Sequence, residues 1–142
     1  MELISWALFQ QRVYQLGEVI IQSGYQPEII VAVARGGWVP AIYLSEQLTV
    51  KKMVSVGVRY IDRERTELDF YSFPSGLEGL RVLLVEDRLE TAKSLQYCVN
   101  HLRADVSEIK TACLYYRSDS CVMPDYCLDK TDGTITFPWE LQ

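Results

Sequence analysis

The chain has 142 residues, and its 14 Lys and Arg against 19 Asp and Glu give a formal net charge of −5 with His101 neutral. Its 49% hydrophobic and 23% charged residues are typical of a packed core and exclude a disordered chain. The length predicts one domain covering residues 1–142. The negative charge argues against nucleic acid as a partner, so an anionic ligand needs a local site.

Apolar runs and cysteines indicate the cellular compartment. The apolar runs, among them residues 29–34 and 82–85, are far shorter than the roughly 18 to 20 residues of a membrane helix. No basic and apolar leader is recognisable, so no signal peptide is predicted. The cysteines lack C-x-x-C spacing and are predicted to be reduced thiols: Cys98, Cys113, Cys121 and Cys127. We therefore expect a cytoplasmic protein that does not bind a membrane.

Hydrophobic patterning predicts helix, strand and helix in the first third of the chain. Ser5 is a candidate N-cap and Gly24 a candidate C-terminal stop for a helix whose apolar positions are Phe9, Val13, Leu16 and Ile20. Residues 29–34 form a continuous apolar run, which is typical of a strand buried on both faces. Pro40 is predicted to open a second helix.

The remaining elements continue the alternation of strands and helices. Strands are predicted over residues 53–60, 82–85 and 109–116, with one short strand at 134–137. A helix between the last two buried strands has the apolar stripe Leu95, Cys98, Val99 and Leu102. Residues 61–81 are predicted to form a long loop or hairpin, and segments of that length usually cover a site.

This order predicts an α/β fold, with a mostly parallel central sheet flanked by helices on both faces. Ligands of such sheets bind beyond the carboxyl ends of the strands, near the point where strand order reverses. Two strand-to-helix junctions, residues 35–40 and 86–94, are therefore the candidate binding segments.

The first junction pairs glycines with a cation. Gly36 and Gly37 allow a tight turn and bring backbone N–H groups close to an anion, and Arg35 adds a planar donor. The alternative is a simple turn without a ligand.

The second junction places two acids before a helix start. Glu86 and Asp87 can accept hydrogen bonds from two ribose hydroxyls or hold Mg²⁺. Residues 90–94 then offer two hydroxyls and several N–H groups for a phosphate. The alternative is that the acids merely stabilise the helix N-terminus and Thr91 caps it.

The second junction also resembles a known motif. Val85-Glu86-Asp87-Arg88-Leu89-Glu90-Thr91-Ala92-Lys93-Ser94 is similar to the binding motif of type I phosphoribosyltransferases. In that motif a strand leads into two acids, two usually apolar residues, an acid, Thr-Gly, any residue, and Thr. Residues 34–40 resemble the family's pyrophosphate loop, and residues 4–6, 124–126 and 137–140 resemble the small purine subgroup. The resemblance covers nearly the whole chain.

The resemblance implies transfer of phosphoribosyl from phosphoribosyl pyrophosphate to a purine base (hypoxanthine, guanine or xanthine), with Mg²⁺ as cofactor and a homodimer as assembly. It also implies a small C-terminal hood and a flexible loop over residues 61–79. A second hypothesis is a non-catalytic sensor of the same fold that binds phosphoribosyl pyrophosphate or a nucleotide.

The resemblance assigns roles to individual residues. Glu86 and Asp87 would bind the ribose hydroxyls and the metal, Asp87 being the favoured contact to hydrated Mg²⁺. The 5'-phosphate would be held by Glu90, Thr91, Ala92, Lys93 and Ser94. Arg35 and Gly36 would meet the pyrophosphate, at a point where the family often has a non-proline cis peptide.

The base side is assigned in the same way. Glu90 would move a proton near purine N7, which makes it the catalytic residue. Arg117 stands where the purine enzymes usually carry a lysine facing the six-position oxygen. Trp139 would stack on the base, or alternatively close the core. Arg63 or Arg65 is a candidate pyrophosphate contact, against the alternative of a solvated charged loop.

The motif departs from the family pattern at Arg88, Ala92 and Ser94, and Arg117 replaces the usual lysine. Serine keeps the hydroxyl of threonine. Alanine in place of glycine costs roughly 1 kcal/mol or more if the site needs a positive φ. Arg88 is expected either to form a surface salt bridge or to reach an anionic ligand.

Overall fold

The computed structural model describes residues 2–120 and 122–140. Their helices and strands follow one another as β1 (Glu2–Leu3), α1 (Trp6–Ser23), β2 (Ile29–Ala34), α2 (Trp38–Leu48), β3 (Met53–Tyr60), β4 (Leu68–Ser72), β5 (Arg81–Leu89), α3 (Lys93–Leu102), β6 (Glu108–Tyr116), β7 (Tyr126–Lys130) and β8 (Ile135–Thr136).

The central sheet has the strand order β4-β3-β2-β5-β6-β7. All neighbouring strands run parallel except β4, which is antiparallel to β3. From β2 the chain moves outward to β3 and later returns to β5 on the other side of β2. Strand order therefore reverses between β2 and β5, and the carboxyl ends of these two strands lie side by side.

Helices cover both faces of the sheet, as predicted. Alternate residues of β2 divide between two cores: Ile30 and Ala32 pack in the core that contains α1 and α2, whereas Val31 and Val33 pack in the core that contains α3. This two-sided burial explains the continuous apolar run of β2. Among the described residues, no helix is long and apolar enough to cross a membrane.

The first helix confirms its predicted ends. The Ser5 side chain accepts a hydrogen bond from the Leu8 N–H at 3.1 Å, and Gly24 ends α1 in the left-handed conformation at φ 83°. The predicted start of the second helix at Pro40 needs a correction, because α2 begins at Trp38 and Pro40 lies inside its first turn. Proline fits there because the first N–H groups of a helix lack partners within the helix.

The strand that carries the acidic pair is longer than predicted. β5 continues to Leu89 because residues beyond Val85 pair with β6, up to Leu89 opposite Tyr116. Glu86 and Asp87 therefore lie inside the strand, near its carboxyl end.

The C-terminal region contains a strand that the sequence did not predict. β7 runs parallel to β6 at the sheet edge, where its half-buried and charged residues give no continuous apolar signal. β8 confirms the predicted short strand and pairs in parallel with β1. Residues 134–140 are called the hood below, and residues 61–79, which include β4, the arm. The thiols of Cys98, Cys113 and Cys127 are free, and Cys121 lies outside the described residues.

Candidate active site

The loop after β2 lies against β5 with almost no space between them. A Cβ on Gly36 would lie 2.3 Å from Asp87 Oδ2, and a Cβ on Gly37 would lie 2.3 Å from the Val85 carbonyl oxygen. Gly37 has an ordinary φ of −71°, so close approach rather than a left-handed backbone requires glycine here. The peptide bond between Ala34 and Arg35 is cis, as the family resemblance implies.

The acidic pair lies where β2 and β5 end. Asp87 is buried, with 5% of its surface exposed, and Glu86 is half-buried. Asp87 Oδ1 accepts a hydrogen bond from the Arg88 backbone N–H at 2.7 Å, and Glu86 Oε1 accepts one from the Asp87 N–H at 3.2 Å.

Burial raises the pKa of both carboxyls. The charge of Asp87 raises the Glu86 pKa further, whereas the Arg88 charge opposes the rise at Asp87. Two adjacent acids with little exposure to water are stabilised by ligands that donate hydrogen bonds or carry positive charge. Ribose hydroxyls and a divalent cation both meet this requirement.

The segment after β5 turns into the N-terminus of α3. Ala92 is the N-cap of that helix and adopts the left-handed conformation at φ 65° and ψ 11°. The motif therefore does need a positive φ at this position, and alanine supplies it here. Ala92 itself makes no side-chain cap bond, but Thr91 Oγ1 accepts a long hydrogen bond from the Lys93 N–H at 3.4 Å, as the capping alternative predicts. The other N–H groups of the first turn have no partner within the helix and can bind an anion.

Three adjoining cavities collect most of the predicted site residues. The donor cavity, of about 590 Å³, is lined by the end of β3, the arm, the motif and the start of α3: Tyr60, Glu64, Arg65, Glu86, Asp87, Arg88, Leu89, Glu90, Thr91, Ala92, Lys93, Ser94 and Leu95. The loop cavity, of about 690 Å³, is lined by Arg35, Gly36, Asp87, Arg88, Trp139 and Glu140. The hood cavity, of about 50 Å³, is lined by Arg88, Leu89, Glu90, Arg117, Thr131, Gly133, Thr134 and Ile135.

The arm contributes residues that the sequence did not place. Arg65 lines the donor cavity, where its guanidinium lies 4.6 Å from the centroid of the Tyr60 ring. Asp62 stabilises the turn that contains Arg65 by accepting hydrogen bonds from the Thr66 and Glu67 N–H groups. Of the two candidate arginines, Arg65 is thus the one at the cavity wall. The sequence signal that could have indicated this contact is that the arm directly follows the carboxyl end of β3.

The base-side residues divide between two cavities. Glu90 and Arg117 share the hood cavity, and Arg117 Nε donates to Asp119 Oδ1 at 3.1 Å. That bond raises the pKa of Arg117. Trp139 instead lines the loop cavity and stacks on Phe137 at 4.6 Å between ring centroids. Trp139 therefore packs against the core and also borders the site.

Arg88 forms a half-buried ion pair rather than a surface one. Its guanidinium pairs with Glu140, donates to the Ile135 carbonyl, and lies 5.3 Å from the centroid of the Phe137 ring. Arg88 also lines all three cavities. The sequence prediction of a salt bridge at the surface is therefore corrected, because the bridge is half-buried and is made to the hood.

The model of the phosphoribosyl transferase domain matches residues 2–142. The chain belongs to this family. It is 29% identical over 117 residues to a xanthine-guanine phosphoribosyltransferase of Idiomarina loihiensis, covering 79% of this chain and 70% of that protein.

Solved structures agree with the phosphoribosyltransferase assignment. A purine phosphoribosyltransferase of Pyrococcus horikoshii superposes with a TM-score of 0.91 at 29% identity, covering 99% of this chain and 94% of that one. A xanthine-guanine-hypoxanthine phosphoribosyltransferase of Helicobacter pylori gives a TM-score of 0.89 at 22% identity, with the same coverage, which supports the fold.

Proposed function

We propose that this phosphoribosyltransferase transfers the 5-phosphoribosyl group from phosphoribosyl pyrophosphate to hypoxanthine, guanine or xanthine, forming a nucleoside 5'-monophosphate and pyrophosphate. One observation carries the proposal. The acidic pair, half-buried Glu86 and buried Asp87, lies between the Arg35-Gly36 loop and the N-terminus of α3, with cavities on both sides. The activities of the similar purine enzymes support the choice of base.

In this proposal the donor spans the donor cavity and the loop cavity. The carboxylates of Glu86 and Asp87 accept hydrogen bonds from the two ribose hydroxyls. The 5'-phosphate binds the N–H groups that open α3, together with Thr91, Lys93 and Ser94. Arg35 and the Gly36 backbone bind the pyrophosphate in the loop cavity.

Mg²⁺ fits the donor atoms available at this site. Within the described residues, no cluster of three or more His, Cys, Asp or Glu side chains could hold a metal alone. Mg²⁺ prefers oxygen ligands and commonly uses one or two carboxylates together with substrate phosphates and water, so Glu86 and Asp87 are sufficient protein ligands. The ion would neutralise charge on the pyrophosphate leaving group.

The chemistry replaces one bond at the ribose anomeric carbon. The bond to pyrophosphate breaks, a base nitrogen supplies the electron pair of the new bond, and the transition state has oxocarbenium character. The Glu90 carboxylate takes the proton that the imidazole ring of the base gives up. Arg117, in the same cavity, donates to the six-position oxygen.

The arm has the position needed to protect the reacting sugar from water. Glu64 and Arg65 of the arm already line the donor cavity. Closure of the arm excludes water, which would otherwise hydrolyse the cation-like sugar. We further propose a cytoplasmic homodimer, which the family resemblance and the free thiols favour.

The proposal is tested by incubating the protein with Mg²⁺, phosphoribosyl pyrophosphate and a panel of purines and pyrimidines. Pyrophosphate and nucleotide should form together with at least one of the three oxopurines. Donor binding without product from any base would instead favour the sensor. Sedimentation tests the dimer.

A further inference from the structure

We infer that Arg88 is a positioning residue that fixes the hood against β5 and thereby sets the affinity for the base. This inference rests on the proposed function, in which the base binds beside Glu90 and Arg117, two residues that line the hood cavity. Arg88 is one of the departures from the family motif, which usually has an apolar residue at this position. The departure thus has a structural partner in this chain.

The contacts of Arg88 join two segments far apart in sequence. From β5, one guanidinium nitrogen donates to the Ile135 carbonyl and another to Glu140 Oε1, 52 positions along the chain. The guanidinium also faces the Phe137 ring. Among the described residues, the hydrogen bonds that join β5 directly to residues 134–140 both come from this side chain.

The hood has few other polar anchors. β8 is two residues long and pairs with β1, through the Glu2 N–H to Thr134 and the Ile4 N–H to Thr136. Such a short pair of strands contributes little stability alone. Ile135 and Phe137 pack in the core and so hold the hood against the body of the protein, whereas Arg88 fixes the position of the hood along β5.

The ion pair between Arg88 and Glu140 is shielded from solvent enough to hold the hood in place. Arg88 and Glu140 have side chains 29% and 28% exposed, so solvent screens them less than a fully exposed pair. Both terminal guanidinium nitrogens are bonded, and this planar two-partner geometry suits arginine better than lysine. Because Arg88 also lines the hood cavity, any shift of the pair changes that cavity's wall.

A double-mutant cycle tests the inference, using Arg88→Met, Glu140→Gln and the double variant. We expect each single variant to raise the KM for the base about tenfold, with the Kd for the donor and Mg²⁺ within about threefold of wild type. The KM of the double variant for the base should be no higher than the larger of the two single-variant values. Arg88→Lys should recover part of the loss, because it keeps the charge but not both bonds.

The chain offers a matched control pair on the same strand. Arg81 and Glu28 pair at 3.4 Å at the opposite end of β5. Arg81→Met and Glu28→Gln should leave the KM for the base unchanged. Hydrogen exchange gives a second measurement, in which residues 134–140 should exchange faster in Arg88→Met and Glu140→Gln than in the control pair.

Several results would overturn the inference. They are an unchanged KM in Glu140→Gln, additive losses in the double variant, and unchanged hood exchange. A raised donor Kd in Arg88→Met alone would show a direct donor contact instead. Wild-type protein that is inactive with every base would refute the proposed function, while hydrogen exchange would still decide whether Arg88 fixes the hood.

Discussion

Gly36→Ala is the change that most sharply probes the contact between the β2 loop and the acidic pair. The new Cβ would lie 2.3 Å from Asp87 Oδ2, 2.6 Å from Cγ and 2.9 Å from Oδ1. Ordinary van der Waals contact begins near 3.4 Å, so loop and carboxylate must separate by about 1 Å. Asp87 is buried and bonded to the Arg88 N–H, which leaves it little room to move.

The magnitude follows from that displacement. Overpacking of this kind typically costs about 1–3 kcal/mol of the free energy of unfolding. A shift of about 1 Å in a reacting group costs on the order of 100-fold in rate. We therefore expect kcat/KM to fall roughly 100-fold, with weaker binding of phosphoribosyl pyrophosphate, in steady-state assays and calorimetry with Mg²⁺.

Gly17→Ala is the matched control. Its Cβ would lie 2.0 Å from Gln47 Oε1, an equally severe overlap, but the opposing atom ends a flexible side chain. Gln47 lines none of the three site cavities. Alanine also favours the helix interior by roughly 0.5–1 kcal/mol. This variant should keep kcat/KM within about twofold of wild type. If the Gly36→Ala variant keeps the kcat/KM and the donor affinity of the wild-type protein, the reasoning is wrong.

Three further predictions concern the second junction. Glu86→Gln should raise the Tm at pH 8, and the gain should shrink as the pH falls towards the ordinary glutamate pKa of about 4.3. The reason is that the pKa of the Glu86 carboxyl is raised in the folded protein, so ionisation at high pH favours the unfolded chain. A Tm difference that is negative or independent of pH would contradict this. Ala92→Gly should change the free energy of unfolding, measured by denaturant titration, by less than about 1 kcal/mol. Glycine relieves about 1–2 kcal/mol of strain at the positive φ, but the variant loses a buried methyl group and has a more flexible unfolded chain. A change above about 2 kcal/mol would contradict this balance. Glu90→Gln should lower kcat by roughly 100-fold or more while leaving the donor Kd unchanged, and an unaltered kcat would remove Glu90 from proton transfer.

The fold could be predicted where local signals and burial agree. The Ser5 cap, the Gly24 stop and the apolar stripe between them define α1, and double burial makes β2 a continuous apolar run. β7 gave no such signal because its residues are half-buried and charged at a sheet edge. Parallel pairing with β6, rather than its own composition, makes it a strand.

The site could be predicted only in part for a similar reason. Glu86 and Asp87 are adjacent in sequence and end a buried strand, so their pairing is visible in the sequence itself. The closeness of Gly36 to Asp87 and the pairing of Arg88 with Glu140 depend on distances across the fold. No local pattern encodes those distances.

Calorimetric binding of phosphoribosyl pyrophosphate with Mg²⁺, to wild type and to the Glu86→Ala/Asp87→Ala variant, tests the central claim most directly. We expect Mg²⁺-dependent binding to wild type and at least about a 100-fold loss in the variant. The variant should stay folded because burial penalises the charged form of both carboxyls, and alanine removes that cost. Equal affinity of the two proteins would contradict the account and place the donor elsewhere.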